Sequence, residues 1–366
     1  MKVLVTGAKG FIGKNLISRL KYEKDVEITE FDVNDKLSDL EDKISEYNFI
    51  FHLAGVNRPK NASEFYTGNS DLTSSLLSLL RKNNLNTPVI FTSSIQATKD
   101  NDYGKSKKQA EDALLGYQNA IVFRLHNVFG KWCRPNYNSV IATFCYNIAN
   151  GLDITINDEN TTLELIYIDD IIEEFISVMG GNKPSCIENN ICYIKPRYKK
   201  TLGEIASLIR SFKTDMESIS VPETGDDFIK KLFATFVSYI DISKMSAYGK
   251  MNIDERGSFT ELAHTKSCGQ FSVSTSKPGV IRGNHYHHTK MERFIVVKGK
   301  AKISFRQIFS DEVYTYDVDE ANIQIVTIPP GYTHKIENVG DTEMVLFLWC
   351  NEIFDKDRPD TYYMEV

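Results

Sequence analysis

The sequence predicts two folded domains, an α/β doubly wound parallel sheet followed by an all-β barrel. In the first half, short apolar runs alternate with stretches of helical periodicity, a pattern typical of a parallel sheet covered by helices. After residue 250, runs of alternating polarity follow one another between Gly, Pro, Asn and Asp residues, as in antiparallel sandwiches and barrels. The polar segment 241–250 separates the two patterns, so we predict domains at residues 1–245 and 246–366.

The first domain is predicted from four buried strands and the helices between them. The strands are expected at Lys2–Val5, Glu27–Phe31, Phe49–Leu53 and Val89–Thr92. Helices are expected at Gly13–Leu20 and Asp71–Arg81, the second with leucines at helical spacing. In a sheet of this kind, ligands bind beyond the carboxyl ends of the strands.

The second domain is predicted from five short strands in which polar and apolar residues nearly alternate. They are expected at Gln270–Ser274, Arg293–Val297, Ala301–Phe305, Ile323–Ile328 and Met344–Trp349. Turn-forming residues separate these runs, which favours antiparallel pairing between neighbouring strands.

Composition limits the classes of function. A net charge of −6 and a pI near 5.7 argue against non-specific binding to nucleic acid or to anionic membranes. The sequence has neither a secretory leader nor an apolar run of about 18 residues, so no membrane insertion is expected. Six scattered cysteines without a C-x-x-C pair indicate a reducing compartment, and we expect a cytoplasmic protein.

A glycine-rich loop follows the first strand and opens the first helix. It contains Gly7, Lys9, Gly10, Phe11, Ile12 and Gly13. One glycine allows a tight turn, one lets the backbone approach a pyrophosphate, and one lets helix and strand pack closely. The acid Asp32 ends the second strand about 20 residues later, where a carboxylate can bind a ribose hydroxyl. We therefore predict a Rossmann-type dinucleotide site.

A second group of residues is typical of carbonyl reduction. Tyr103 and Lys107 are separated by four positions and share one face of a helix. A phenol titrates near ~10, and a nearby ammonium is expected to lower the pKa of Tyr103 toward neutrality. Ser94, just after the fourth strand, is expected to hydrogen-bond the reacting oxygen.

These motifs resemble the extended short-chain dehydrogenase/reductases, the class that handles nucleotide sugars. The resemblance covers residues 1 to about 245 and rests on the glycine motif, Ser94, Tyr103 with Lys107, and the segments His52–Gly55, Arg124–Gly130 and Tyr167–Asp170. It implies that Tyr103 exchanges a proton with a sugar oxygen and that Lys107 binds the nicotinamide ribose. It also implies cofactor contacts from Leu53 and Ala54.

Four of the seven histidines fall between residues 285 and 334, and their spacing indicates a metal site. On a strand, His285 and His287 point to the same side. Glu292 begins the next apolar run, and His334 follows a Pro-Gly turn. Three imidazoles and a carboxylate suit a divalent first-row metal. His288 would face the other way, so we do not expect it to be a ligand.

This spacing resembles both motifs of the cupin superfamily, with His285, His287, Glu292 and His334 at the metal-ligand positions. Segments 254–259 and 280–286 also resemble the dTDP-sugar 3,5-epimerases, metal-free cupins in which the histidine at position 285 is the general base. A histidine bound to metal is a poor base, so the two resemblances conflict. With all four ligand positions filled, we favour metal binding. The base is then left open between a metal-bound hydroxide, Tyr332 and Glu261.

Over its full length the chain resembles a family of capsular polysaccharide synthesis enzymes in which these two modules are fused. The segments that carry the resemblance are His52–Pro59, Phe129–Ser139, Asn284–Lys290 and Pro359–Val366. The resemblance implies a UDP-linked 2-acetamido-2,6-dideoxy-4-keto-hexose as substrate. The cupin would epimerise C3, and the reductase would reduce C4 to give UDP-N-acetyl-6-deoxy-L-talosamine, on the route to UDP-N-acetyl-L-fucosamine. It also implies zinc, NADPH and a homodimer.

Two alternatives bear on these expectations. Asp32 would favour NADH because a carboxylate repels a 2′-phosphate, whereas Lys9 would attract one. The second domain could also serve only to bind sugar or to dimerise, with a structural metal, since structural zinc sites are closed by four protein ligands. A 4,6-dehydratase is disfavoured, because no acid follows Ser94 in Ile95-Gln96-Ala97.

Overall fold

A computed structural model describes residues 1–366, which form two compact units. The first unit comprises residues 1–210 and 227–241, and the second comprises residues 211–226 and 242–366. Segment 211–226 joins the second unit, where Ser220 forms a bridge with His264 and the Val221 amide donates to the His264 carbonyl at 2.8 Å. No pattern in the sequence indicated this excursion.

The first unit is built on a parallel sheet, as predicted. Its strands are β1 (Lys2–Thr6), β2 (Glu27–Phe31), β3 (Phe49–His52), β4 (Val89–Ser94), β5 (Ala120–Leu125), β6 (Asn127–Phe129), β7 (Thr162–Tyr167), β8 (Ile187–Glu188), β9 (Ile191–Cys192) and β10 (Tyr198–Thr201). The main sheet has the order β2-β1-β3-β4-β5-β9-β8 and is parallel except for the β8/β9 pair. A second sheet has the order β10-β7-β6.

Helices cover both faces of the main sheet. The helices of the chain are α1 (Phe11–Leu20), α2 (Ser38–Glu41), α3 (Ser63–Phe65), α4 (Leu72–Lys82), α5 (Asp102–Leu115), α6 (Val140–Ala149), α7 (Ile168–Met179), α8 (Leu202–Glu217) and α9 (Asp227–Val237). A π-helical turn at Tyr66–Asp71 leads into α4, and 3₁₀ turns occupy Ile44–Glu46, Ile95–Thr98 and Ile242–Lys244. The apolar faces of α1 and α7 pack on one side of the strands, and those of α4 and α5 pack on the other. None of the helices combines the length and apolar character that crossing a membrane requires.

In the second unit, the chain after residue 250 forms antiparallel β-sheets, as predicted. Its strands are β11 (Met251–Asp254), β12 (Gly257–Thr265), β13 (Gly269–Ser276), β14 (Ile281–Tyr286), β15 (Glu292–Lys298), β16 (Lys300–Gln307), β17 (Val313–Asp319), β18 (Ile325–Ile328), β19 (Tyr332–Asn338), β20 (Met344–Cys350) and β21 (Tyr362–Tyr363). They form sheets of order β11-β12-β13-β20-β15-β18 and β17-β16-β19-β14-β21. Apolar side chains from strands of both sheets, including Val296, Ile303 and Ile336, form one core.

Candidate active site and metal centre

The glycine loop has the backbone geometry that a dinucleotide site requires. Gly7 has a positive φ of 68°, and a Cβ there would lie 2.7 Å from the Ala54 amide nitrogen. A Cβ on Gly13 would overlap the carbonyl oxygens of Gly7 and Ala8. Helix α1 begins directly after Gly10, and no side chain caps its first N–H groups. These groups and the positive end of the helix dipole are available to a pyrophosphate.

The other predicted cofactor residues surround this loop. The Asp32 carboxylate accepts hydrogen bonds from the amides of Lys9 at 2.7 Å and Val33 at 2.8 Å. The Ala54 amide donates to the Thr6 hydroxyl at 3.2 Å, which holds the chain after β3 against the end of β1. Leu53, Phe11 and Ile12 are partly buried and pack against the core beneath the loop. The ends of β1, β2 and β3 therefore bring these residues to one edge of the sheet.

His52 braces the same edge. Its Nδ1 lies 2.8 Å from the Thr6 hydroxyl, and its Nε2 lies 2.9 Å from the Thr73 hydroxyl. Burial, with a smaller contribution from the Lys107 charge, lowers the pKa of His52 to about 3. The imidazole is therefore neutral at physiological pH and links β1, β3 and α4.

Tyr103 and Lys107 lie on the first turns of α5, next to the end of β4. The Asn101 side chain caps this helix by accepting from the Gly104 amide at 2.8 Å. Gly104 permits close packing, because a Cβ there would overlap the carbonyl oxygens of Gln96 and Lys99. The Lys107 ammonium is buried and donates to the Thr92 carbonyl at 3.0 Å. This packing brings Tyr103, Lys107 and Ser94 together.

The pKa expected for Tyr103 from sequence is wrong in direction. Burial raises its pKa above the usual value, and a hydrogen bond with Ser94 acts in the opposite sense without outweighing it. The ammonium of Lys107 is directed at the Thr92 carbonyl and lies 4.9 Å from the centre of the Phe91 ring. Burial also lowers the pKa of Lys107 to about 8, against an opposing effect of Glu111. The phenol is therefore protonated at neutrality, the form that donates a proton.

The four predicted metal ligands converge in the second unit. His285 on β14 is directly opposite His334 on β19 in the strand register. His287 lies just beyond the end of β14, and Glu292 is the first residue of β15. One donor atom from each residue lies within 4.8 Å of the other three. His287, Glu292 and His334 are buried, and His285 is partly buried.

The charges in this cluster suit a bound cation. His287 Nδ1 lies 2.5 Å from the Asp360 carbonyl oxygen. Because a carbonyl only accepts, Nδ1 carries the proton and the lone pair is on Nε2. That Nε2 is buried without a hydrogen-bond partner, 3.6 Å from a Glu292 carboxylate oxygen. The same Glu292 oxygen lies 3.0 Å from His334 Nε2, and a cation held among these atoms would satisfy both the Nε2 lone pair of His287 and the carboxylate.

Two residues of the cluster, Glu292 and His285, have shifted pKa values. Burial would raise the pKa of Glu292, but the neighbouring imidazoles of His287 and His334 outweigh it and hold the pKa well below its usual range. Burial, reinforced by His334, lowers the pKa of His285 to about 4. His285 is therefore neutral at physiological pH, with a lone pair for a metal and little strength as a base.

One histidine outside the cluster lies where the sequence predicted it, whereas two residues that contact the ligands were not predicted. His288 packs edge-on against Tyr362 outside the cluster, as the strand alternation predicted. Glu261 is paired with His264 at 2.7 Å. The Cys350 thiol donates to the second oxygen of Glu292 at 3.3 Å. The sequence analysis missed both Cys350 and Asp360, which are distant from the ligands in sequence.

Comparison with known proteins assigns each unit to a family. Residues 3–185 match the NAD dependent epimerase/dehydratase family, and residues 252–362 match the polysaccharide biosynthesis C-terminal domain. UDP-glucuronic acid 4-epimerase from Bacillus cereus, solved with NAD, covers 65% of this chain and 98% of its own at 17% identity and a TM-score of 0.55. That likeness concerns the fold of the first unit alone.

Relatives that match the whole chain include a reductase and a solved structure. One is UDP-2-acetamido-2,6-beta-L-arabino-hexul-4-ose reductase from Pseudomonas aeruginosa, 42% identical over 100% of this chain and 99% of its own. The other is the crystal structure of the capsular polysaccharide assembling protein CapF from Staphylococcus aureus. It is 46% identical, covers 100% of both chains and has a TM-score of 0.92. With full-length relatives at these identities, the chain belongs to the CapF family of capsular polysaccharide assembling proteins.

Proposed function

We propose that the chain is a bifunctional nucleotide-sugar enzyme with a reductase at residues 1–245, apart from segment 211–226, and a cupin at residues 246–366. The observation that carries this proposal is the presence of a Tyr103/Lys107 pair in one unit and a buried His₃Glu cluster in the other. The substrate we propose is a UDP-2-acetamido-2,6-dideoxy-4-keto-hexose. The cupin epimerises it at C3, and the reductase then reduces C4 to give UDP-N-acetyl-6-deoxy-L-talosamine. The name of the Pseudomonas relative supports the keto-sugar part of this assignment.

For the reduction, Tyr103 is the proton donor to the C4 oxygen. Its raised pKa supports this role, because the phenol is protonated where the product alkoxide needs a proton. Ser94 holds the same oxygen and hydrogen-bonds the phenol. Lys107 is buried between β4 and α5, where its ammonium can bind a ribose hydroxyl. The nicotinamide, when bound, supplies the hydride.

The cofactor we propose is NADPH, with NADH as the alternative that Asp32 would favour. The Lys9 side chain is exposed beside the glycine loop and can meet a 2′-phosphate. Asp32 already accepts two backbone amides, so part of its carboxylate serves the loop itself. Steady-state kinetics with both cofactors tests this assignment, and a clear preference for NADH would overturn it.

For the epimerisation, the second unit has to labilise a proton on C3, next to the C4 ketone. His285, His287, Glu292 and His334 would hold a divalent first-row metal, and we propose zinc because the family resemblance implies it. A divalent cation bound there would act as a Lewis acid toward the ketone oxygen. Burial of Glu292 and His334 keeps the site dry, which strengthens such polarisation. We further propose a cytoplasmic homodimer, as the family resemblance implies.

One experiment separates the two activities. The Tyr103→Phe protein, incubated with keto-sugar in D₂O, should fail to oxidise NADPH yet still incorporate deuterium at C3. Tyr22→Phe, at an 83% exposed site of the same unit, is the matched control and should retain both activities. His334→Ala should lose the exchange. If the wild-type protein shows no exchange at C3, the second unit is a binding or dimerisation module rather than an epimerase.

A further inference from the structure

The segment after β20 returns to the metal cluster and contacts it through Asp360. The carbonyl oxygen of Asp360 accepts from His287 Nδ1 at 2.5 Å. Its carboxylate accepts from three consecutive backbone amides, those of His288 at 2.9 Å, Thr289 at 2.8 Å and Lys290 at 2.9 Å. These amides belong to the loop that joins His287 to Glu292. Asp360 therefore hydrogen-bonds both a metal ligand and the loop between two ligands.

The neighbours of Asp360 fasten the segment on both sides. The buried Lys290 ammonium donates to the Pro359 carbonyl at 2.8 Å. Tyr363 on β21 is opposite His285 on β14. The Met364 amide donates to the Asn284 carbonyl at 3.0 Å. Residues 359–364 therefore form a clasp that pairs with the strand carrying His285 as well as with the loop after His287.

The backbone at Asp360 is in an uncommon conformation. Its φ is +41°, a region that L residues other than Asn and Asp rarely adopt. The three amide hydrogen bonds to its carboxylate can offset the cost of this left-handed conformation. This conformation lets the carbonyl of Asp360 face His287 while its own carboxylate faces residues 288–290.

We propose that Asp360 is a positioning residue of the metal centre, which fixes the tautomer of His287 and the path between His287 and Glu292. The proposal rests on the metal site of the proposed function and adds a residue 73 positions away from the ligand that it orients. Partners that orient metal-bound histidines typically change metal affinity by about 10- to 100-fold when removed. Mutation cannot remove the backbone carbonyl of Asp360. It can remove the carboxylate, whose hydrogen bonds hold that carbonyl in place.

The test is the zinc affinity of the full-length protein, measured by competition with a chromophoric chelator. Asp360→Ala should bind zinc about 10- to 100-fold more weakly than wild type. Asp360→Asn keeps the shape of the side chain and one acceptor oxygen, so a smaller loss is expected. Asp357→Ala, an exposed acid in the same loop region, is the matched control and should bind zinc like wild type.

Two further readouts separate positioning from general destabilisation. The visible spectrum of the Co²⁺-loaded protein should change in Asp360→Ala but not in Asp357→Ala, since it reports ligand geometry. NADPH binding should be the same in all variants. Zinc binding by Asp360→Ala within about threefold of wild type, with an unchanged cobalt spectrum, would overturn this inference alone. A wild-type protein that binds no zinc would instead overturn the metal centre itself.

Discussion

Among the electrostatic contacts of the first unit, the ion pair between Arg124 and Glu111 should cost the most stability when it is broken. Arg124 on β5 meets Glu111 on α5 through two parallel hydrogen bonds, of 2.8 Å and 2.6 Å. The Glu111 side chain is fully buried, and that of Arg124 is 15% exposed. Replacing Arg124 by Met leaves a buried carboxylate without its partner, which typically costs about 3–5 kcal/mol. For a unit of this size, that corresponds to a fall in Tm of roughly 6–20 °C.

The assay is thermal unfolding, followed by calorimetry. Because the two units can unfold separately, the transition of the first unit is identified as the one that NADPH raises. Lys108→Met removes the exposed Lys108–Asp112 pair from the same helix and should cost less than about 1 kcal/mol. The double variant Arg124→Met/Glu111→Leu should regain most of the lost stability, because no charge remains buried. A fall of under about 2 °C in Arg124→Met would refute the reasoning.

Four other outcomes follow from the geometry. Ser94→Ala removes the hydrogen bond that lowers the pKa of Tyr103, so the rise of alcohol oxidation with pH should move to higher pH in initial-rate profiles. Gly7→Ala should abolish NADPH binding in calorimetric titrations, whereas Gly279→Ala, also at positive φ but in open space, should cost only about 1–2 kcal/mol of stability. His52 has a pKa of about 3 when folded and near ~6.5 unfolded, so the unfolded state binds more protons between these values. Urea denaturation should therefore show the first unit losing stability as pH falls from about 6.5 toward 3, with a shallower slope in His52→Gln. Chelators should lower the Tm of the second unit alone, and added zinc should restore it.

Local patterns were sufficient to predict the parts of the fold whose signals are short in sequence. The glycine loop was predicted because Gly7, Gly10 and Gly13 lie within seven residues of one another, between a strand and a helix. The four metal ligands were predicted because strand alternation and a Pro-Gly turn set their directions locally. Helix α1 begins at Phe11, two residues before its expected start, because Gly10 is the N-cap and the backbone is helical directly after it.

Features that depend on distant contacts could not be predicted in the same way. The direction of the Tyr103 pKa depends on how deeply the fold buries its phenol, and Gly104 lets α5 pack closely against the turn after β4. Nothing in the sequence distinguishes Asp360 from the other acidic residues near the end of the chain. Its position beside His287 depends on the fold, which brings the segment after β20 back to the cluster. Segment 211–226 joins the second unit through pairing with His264, which no hydrophobic period encodes.

The reactivity of the Cys350 thiol reports local opening of the second unit. The thiol is 5% exposed and hydrogen-bonded to Glu292, and burial raises its pKa, so little thiolate is available to an alkylating reagent. Labelling requires β20 to separate from β15, and the labelling rate therefore measures how often these strands part. Any ligand that steadies Glu292 should slow this labelling. The rate at which Cys350 is alkylated would thus measure how far the site is occupied by an ion that has no spectroscopic signal.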